Sequence, residues 1–276
     1  MIDNNPIGLY IHIPFCRSKC PYCDFFSVGL SKSNIDLINV YTEKISKQIQ
    51  ESNRIFDTVY IGGGTPSVIG EENLAKILSN IRCTDDCEIT VECNPSDTGS
   101  KEKDFNFRLL KEYGVNRISM GLQSSDNCER KILGRKSGCD DVSRAIERIN
   151  NAGINNISLD LMLGVPEQTL ESVDKSIDFC IKSGAKHISA YILKIEEDTY
   201  FGKNKNKYNF PDDDLCSDLY LYASDKIKDA GMNHYEISNF SYTGYESKHN
   251  LKYWNCDEYL GIGPAAHSFI SGKRFF

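Results

Sequence analysis

The chemistry-bearing residues of this chain gather first in the stretch from Tyr10 to Phe26, where Cys16, Cys20 and Cys23 stand at C-x3-C-x2-C spacing. That spacing lets one loop wrap a polynuclear centre and present three thiolates on one side. A [4Fe–4S] cluster usually takes four thiolates, so three leave one iron open to an outside ligand. The alternatives are a zinc site and three unconnected cysteines. Zinc asks for a fourth ligand, with a Cys pair matched by a second Cys or His pair. No second tight pair follows here, and Cys83, Cys87, Cys93, Cys128, Cys139, Cys180, Cys216 and Cys256 are scattered. We take these eight as packing residues, and Cys83 and Cys87 as an incidental pair.

Other candidates fall at the ends of apolar runs. Gly62, Gly63 and Gly64, followed by Thr65 and Pro66, end one such run. Successive glycines allow a backbone to approach a ligand closely, or merely turn tightly. Glu92, Gln123 and Arg135 stand at or just beyond later runs, and Asp160 lies inside one. A carboxylate in an apolar strand is costly to bury without partners. A polar ligand inside a barrel would supply them, and so would ordinary structural hydrogen bonds.

The elements that position these residues read as a βα repeat. Strands are expected at Gly8–Ile13, Thr58–Gly62, Glu88–Cys93, Arg117–Leu122, Asn156–Leu163 and His187–Leu193, with a weaker one at His234–Ser238. Helical spacing marks 35–52, 72–81, 103–113, 140–152, 170–182 and 213–230. Gly114, Gly153, Gly184 and Gly231 close four of these helices as C-caps. Strands alternating with helices predict a mainly parallel sheet with helices outside, an α/β fold of the (β/α)6 partial-barrel kind. Catalytic groups of β/α barrels sit at the carboxyl ends of strands, where the cysteine loop lies. The stretch 203–210, with its Lys-Asn repeats, reads as an exposed excursion.

Composition sets limits. The chain has 276 residues, 40% hydrophobic and 26% charged, enough for a large core. Eleven cysteines, an odd number, are too sparse for a disulfide scaffold. The start, Met1 to Pro6, lacks the basic and apolar segments of a signal peptide. We expect a cytoplasmic protein with reduced thiols and no membrane span. A net charge of −7 without a basic block argues against nucleic acid as a partner, although a local basic pocket remains compatible with it.

With these residues in view, Cys16, Cys20, Tyr22 and Cys23 resemble the signature of radical S-adenosylmethionine (SAM) proteins. That superfamily has a partial β/α barrel, and the open iron is chelated by the amino and carboxylate groups of SAM. From Tyr10 to about Ser268 the chain resembles the oxygen-independent coproporphyrinogen III oxidase-like branch. The resemblance implies SAM contacts at Tyr10, Gly63, Gly64, Thr65, Glu92, Gln123, Arg135 and Asp160. Carboxylates suit ribose hydroxyls, and Arg135 suits a carboxylate.

Within the branch, the oxidases carry a fourth Cys two positions after the third, and here that position is Phe25. The run from Cys23 to Phe25, and His249, Asn250, Tyr253 and Trp254, resemble the HemW heme-chaperone group and its H-N-x-x-Y-W motif. The stretches 235–240 and 259–268 are similar to that group too. The resemblance links His249, Tyr253 and Trp254 to heme: a neutral imidazole ligates iron, and the aromatics pack a macrocycle. The alternative is that His249 caps a turn and Trp254, the only Trp, is core.

The expectation is therefore a radical SAM core over 1–232 and, over 233–276, the start of a HemW-type extension. Members of the group continue into a helical C-terminal domain, which is not seen here. The expected ligands are a [4Fe–4S] cluster, SAM and heme, with a heme-acceptor protein, an electron donor and peripheral membrane contact as partners. The alternative function is oxidation of coproporphyrinogen III or another radical SAM reaction on a tetrapyrrole.

Overall fold

The computed structural model describes residues 5–102 and 104–276. Met1 to Asn4, most of the stretch read against a signal peptide, and Lys103, the expected first residue of one helix, lie outside them.

Six strands form the parallel heart of one sheet, in spatial order Ile7–Ile13, Phe56–Gly63, Cys83–Cys93, Arg117–Gln123, Asn156–Leu163 and His187–Ile192. We call them the first to sixth barrel strands. The six clear sequence-expected strands are present, within a few residues at the ends. Spatial order follows chain order because each strand returns through a helix on the same side.

The two faces of these strands have opposite chemistry. Leu9, Ile11, Val59, Ile61, Val91, Ile118, Met120, Leu159, Leu161 and Ile188 are essentially fully buried under the outer helices. Those helices contribute Ile45 and Ile49, Leu74 and Ile77, Ile149, Ile177 and Ile227 to the same core. The alternate residues point inward and are polar: Tyr60, Glu92, Arg117, Ser119, Asp160, Ser189 and Tyr191. Side chains alternate faces along a strand, so one period-two pattern builds both the core and a polar interior.

The helices begin and end on local signals. Asp126, Thr169, Asp212 and Ser247 each accept a hydrogen bond from a first-turn backbone N–H. Gly114, Gly153, Gly184 and Gly231 all have positive φ, the left-handed conformation in which a Cβ is strained, as their assignment as caps predicts.

Two expectations need correction. His234–Ser238 is not a strand: strands Asn233–His234 and Asn239–Ser241 pair antiparallel across a tight bend. Glu236 accepts the Ser238 N–H at 3.2 Å, which fixes that bend. The stretch 203–210 is not simply an exposed excursion. Tyr208 and Phe210 pack with Phe201, Leu133 and Val165 in a second apolar cluster that also receives Tyr22.

Residues 233–276 add strands to both edges of the sheet. Asn239–Ser241 pairs antiparallel with the sixth barrel strand, and Tyr259–Ile262 pairs parallel with the first. Helix Lys248–Asn255 joins the two edges.

Candidate functional site

The carboxyl ends of the barrel strands open into a cleft of about 590 Å³. That is within the size range of small-molecule sites. The cysteine loop forms one wall. It is held by a short pairing of Phe15–Cys16 with Val28–Gly29 and by Leu30 N–H donating to Cys16 O at 2.8 Å. Inside the loop, Cys23 N–H donates to Cys20 O at 3.1 Å. Phe201 N–H donates to Pro21 O at 2.9 Å, anchoring the loop to the second apolar cluster. Arg17 is ion-paired with the buried Asp97.

The glycine run docks against this loop. Gly64 N–H donates to Ile13 O at 2.7 Å and Thr65 N–H to Phe15 O at 2.8 Å. A Cβ at Gly64 would stand 2.7 Å from Phe15 O and 3.1 Å from Cys16 Sγ, closer than packing permits. Gly63 has φ +109°, and a Cβ there would meet the His12 ring at 2.6 Å. These glycines are required by close approach of loop to loop, so the turn does more than reverse the chain.

All three thiols line the cleft. Burial pushes the Cys16 and Cys23 thiols up, while the Thr65 hydroxyl, 3.5 Å from Cys16 Sγ, pulls the other way. A bound iron would supply the missing positive charge and favour the thiolate. Among the described residues, no three His, Cys, Asp or Glu side chains converge as they would on a single metal ion.

The cleft floor holds two half-buried carboxylates. Glu92 accepts from Tyr60 OH at 2.8 Å and from Gly63 N–H at 3.2 Å. Burial raises its pKa to about 7, against those hydrogen bonds. Asp160 accepts from Ser119 Oγ at 3.3 Å, and burial raises it to about 6. Gln123 has φ +70° at a register shift between the fourth and fifth strands, a bulge that re-aims the strand end. Arg135 Nη2 donates to Gly121 O at 2.7 Å.

Of the residues expected at SAM, Gly63, Gly64, Thr65, Glu92, Gln123, Arg135 and Asp160 all line the cleft. Tyr10 is not among its lining residues. Its hydroxyl is 3.0 Å from His12 Nδ1 and its ring packs beside Tyr60. Arg117, Ser119, Ser189 and Tyr191 also line the cleft and were not singled out from the sequence. The signal was available as the polar half of the strand alternation. Six basic residues (Arg17, Lys19, Arg117, Arg135, Lys136, Lys194) face five acidic ones there (Asp24, Glu92, Asp97, Asp160, Glu196), so the cleft is less negative than the chain.

The expected heme residues stand elsewhere. His249 is fully buried in the first turn of its helix. Its Nδ1 lies 2.9 Å from Thr58 Oγ1 and its Nε2 2.8 Å from Tyr253 OH. Burial pushes its pKa down to about 3, with Lys252 and Arg117 adding to the effect. Of the motif, only Asn250 reaches the cleft. Trp254 is 53% exposed, so it is not core. Nor are all the scattered cysteines packing residues: Cys87, Cys93 and Cys180 are buried, whereas Cys128 and Cys256 are exposed.

The family model described as the radical SAM superfamily matches residues 10–180. The heme chaperone HemW of Lactococcus lactis is 37% identical over 277 residues, covering 98% of this chain and 71% of the relative. HemW of Escherichia coli is 36% identical, covering 98% and 72%. The solved structure of E. coli coproporphyrinogen III oxidase (HemN), a radical SAM enzyme, superposes with TM-score 0.80 at 20% identity. It covers 97% of this chain, which spans 65% of that one, and the likeness bears on the fold alone. The matched signature, the cleft it borders and relatives of this closeness leave one assignment: the chain belongs to the radical SAM superfamily, in its oxygen-independent coproporphyrinogen III oxidase-like branch.

Proposed function

We propose that this chain binds a [4Fe–4S] cluster, SAM and heme, and passes heme to an acceptor protein instead of turning over coproporphyrinogen III. One observation carries the reading: three thiols, with Phe25 where a fourth would stand, border the same cleft as the carboxylates Glu92 and Asp160. The relatives named heme chaperones support it.

The residues fit these groups. Cys16, Cys20 and Cys23 would hold three irons and leave one open. Gly63, Gly64 and Thr65 bring backbone close without side-chain obstruction. Ionised Glu92 and Asp160 accept hydrogen bonds from hydroxyls, and Arg135 donates to a carboxylate. When bound, the cluster and SAM supply one-electron chemistry, which needs an external electron donor. Phe25, 66% exposed at the lip of the cleft, offers an apolar face where a thiol would offer a proton or an electron.

Heme ligation by His249 belongs to the proposal, with Tyr253 and Trp254 beside it. It requires one ring nitrogen to give up its partner, Tyr253 at Nε2 or Thr58 at Nδ1, so heme entry is coupled to movement of helix Lys248–Asn255. Among the described residues no helix is long and apolar enough to cross a membrane, so any membrane contact would be peripheral.

The test is anaerobic reconstitution, with iron and sulfide analysis and hemin titration on one sample. About four irons and four sulfides per chain, with a saturable Soret change, are expected. Zinc without sulfide defeats the cluster reading. A loaded cluster with no saturable Soret change defeats the chaperone reading, and vinyl product from coproporphyrinogen III with SAM and reductant would put an oxidase in its place.

A further inference from the structure

Arg117 opens the fourth barrel strand and points into the barrel. It is 1% exposed and among the largest fully buried side chains. Its Nε and Nη1 have no hydrogen-bond partner, and the side chain lines the cleft. A buried guanidinium with idle donors costs free energy, and native interiors rarely leave one unanswered. The position therefore has a partner to come, or a charge to supply.

The register says where. Arg117 lies beside Thr90 of the third strand and Asn156 of the fifth. Two residues further along the fourth strand, Ser119 is level with Glu92, and Gly121 is level with Asp160. Arg117 thus sits beneath and between the two carboxylates, and no described ion pair joins it to either. Its charge favours the ionised form of both. His187, His249 and Tyr235 also feel its charge, which, after burial, disfavours protonation of the two histidines. The other groups facing the pair are Tyr60 and Tyr191, with Tyr10, Cys93 and Tyr253 on the Glu92 side and Arg135 and Cys180 on the Asp160 side.

We infer that Arg117 is a positioning residue for a vicinal diol. From beneath, its charge holds Glu92 and Asp160 as the two acceptors for hydroxyls bound between them. Carboxylates accept only, diol hydroxyls both donate and accept, and a guanidinium donates only. The two carboxylates accept from the diol, and the guanidinium beneath them balances their charge. This rests on the SAM reading, whose ribose carries such a diol.

The probes are SAM itself and 5′-methylthioadenosine, which keeps the ribose diol and lacks the titratable amino-acid part. Binding to the reconstituted protein is followed by calorimetry from about pH 5.5 to 9. With carboxylates titrating near 7 and 6, affinity of the wild type for methylthioadenosine should rise with pH and level off above about pH 8. In Arg117→Met both carboxylates lose their favourable charge. A shift of one unit changes the ionised fraction up to tenfold. Binding at pH 7 should fall by about that factor and recover towards pH 9. Arg117→Lys should restore much of the wild-type pH midpoint. Glu92→Gln, which keeps the size, should bind weakly and lack the limb near pH 7.

An Arg117→Met loss that is uniform at every pH means a structural role and overturns the inference. So does an unchanged pH midpoint, or a Glu92→Gln variant that retains the limb near pH 7. A wild type that binds neither SAM nor methylthioadenosine overturns the cofactor reading instead. Should Arg117→Met fail to fold, the Arg117→Lys and Glu92→Gln profiles still decide the matter.

Discussion

His249 joins the fold and the proposed heme site, and its removal separates the two. The imidazole is fully buried, stacked 5.5 Å from the Tyr60 ring, with both nitrogens hydrogen-bonded. In His249→Ala the Thr58 hydroxyl loses its partner and a cavity opens. An unsatisfied buried hydroxyl costs about 1–3 kcal/mol and a large-to-small change in a core about 2–5 kcal/mol, so a loss of about 3–5 kcal/mol at pH 7 is expected. The pH dependence is the sharper test. Burial lowers the folded-state pKa from 6.5 to about 3. Between those values the unfolded chain binds the proton and the folded chain does not. The contribution of His249 is therefore complete above pH 6.5 and is lost as pH falls towards 3, at about 1.4 kcal/mol per unit. From pH 6.5 to 5 that is about 2 kcal/mol. Urea unfolding of the cluster-free protein, followed through Trp254 on the same helix, measures it. The stability gap between wild type and His249→Ala should shrink by about 2 kcal/mol between pH 7 and pH 5. An equal gap at both pH values would refute a buried neutral imidazole. Hemin titration of the folded variant then reads the other role, since an axial ligand's removal should abolish the Soret change.

Gly64→Ala should leave the fold intact but lower iron and sulfide loading several-fold, because its Cβ would press on Phe15 O and Cys16 Sγ; normal loading would show that the loops can part. Cys128 and Cys256 should react with a thiol reagent in the native protein, while Cys93 and Cys180, buried and with raised pKa, should react only on unfolding; peptide mapping after timed alkylation checks this.

The repeat was legible because several signals agreed. Gly114, Gly153, Gly184 and Gly231 end helices, and each has the left-handed φ that favours glycine. The helix at Leu170–Lys182 keeps its expected limits because Thr169 caps it and Gly184 follows. What the sequence concealed was non-local. Helix Lys248–Asn255 is short and polar, and forms because Glu88, from the far side of the chain, accepts its Lys248 and His249 N–H groups at 3.1 Å. Strand Tyr259–Ile262 pairs with a partner some 250 residues earlier, a register that no local pattern encodes. The His234–Ser238 run had strand-like residues, but a hairpin bend has first claim on Glu236 and Ser238.

The interior polar residues teach the most about the site. A run such as Arg117 to Gln123 reads as apolar by content, yet Arg117, Ser119 and Gly121 fall on one face and, with Gln123 beyond the bulge, reach the cleft. A barrel that served only as scaffold would gain by filling that face with Val, Ile and Leu, as parallel strands covered on both sides usually do. Instead the floor holds two carboxylates that titrate near neutrality and a guanidinium with idle donors. Each is costly to bury, and they offset one another only in part, since no described ion pair joins them. Given a ligand rich in hydroxyls, the two carboxylates become satisfied acceptors above a guanidinium that balances their charge. The stability forgone in the free protein is returned on binding, so ligand affinity and the thermal stability of the loaded protein should carry the same pH dependence.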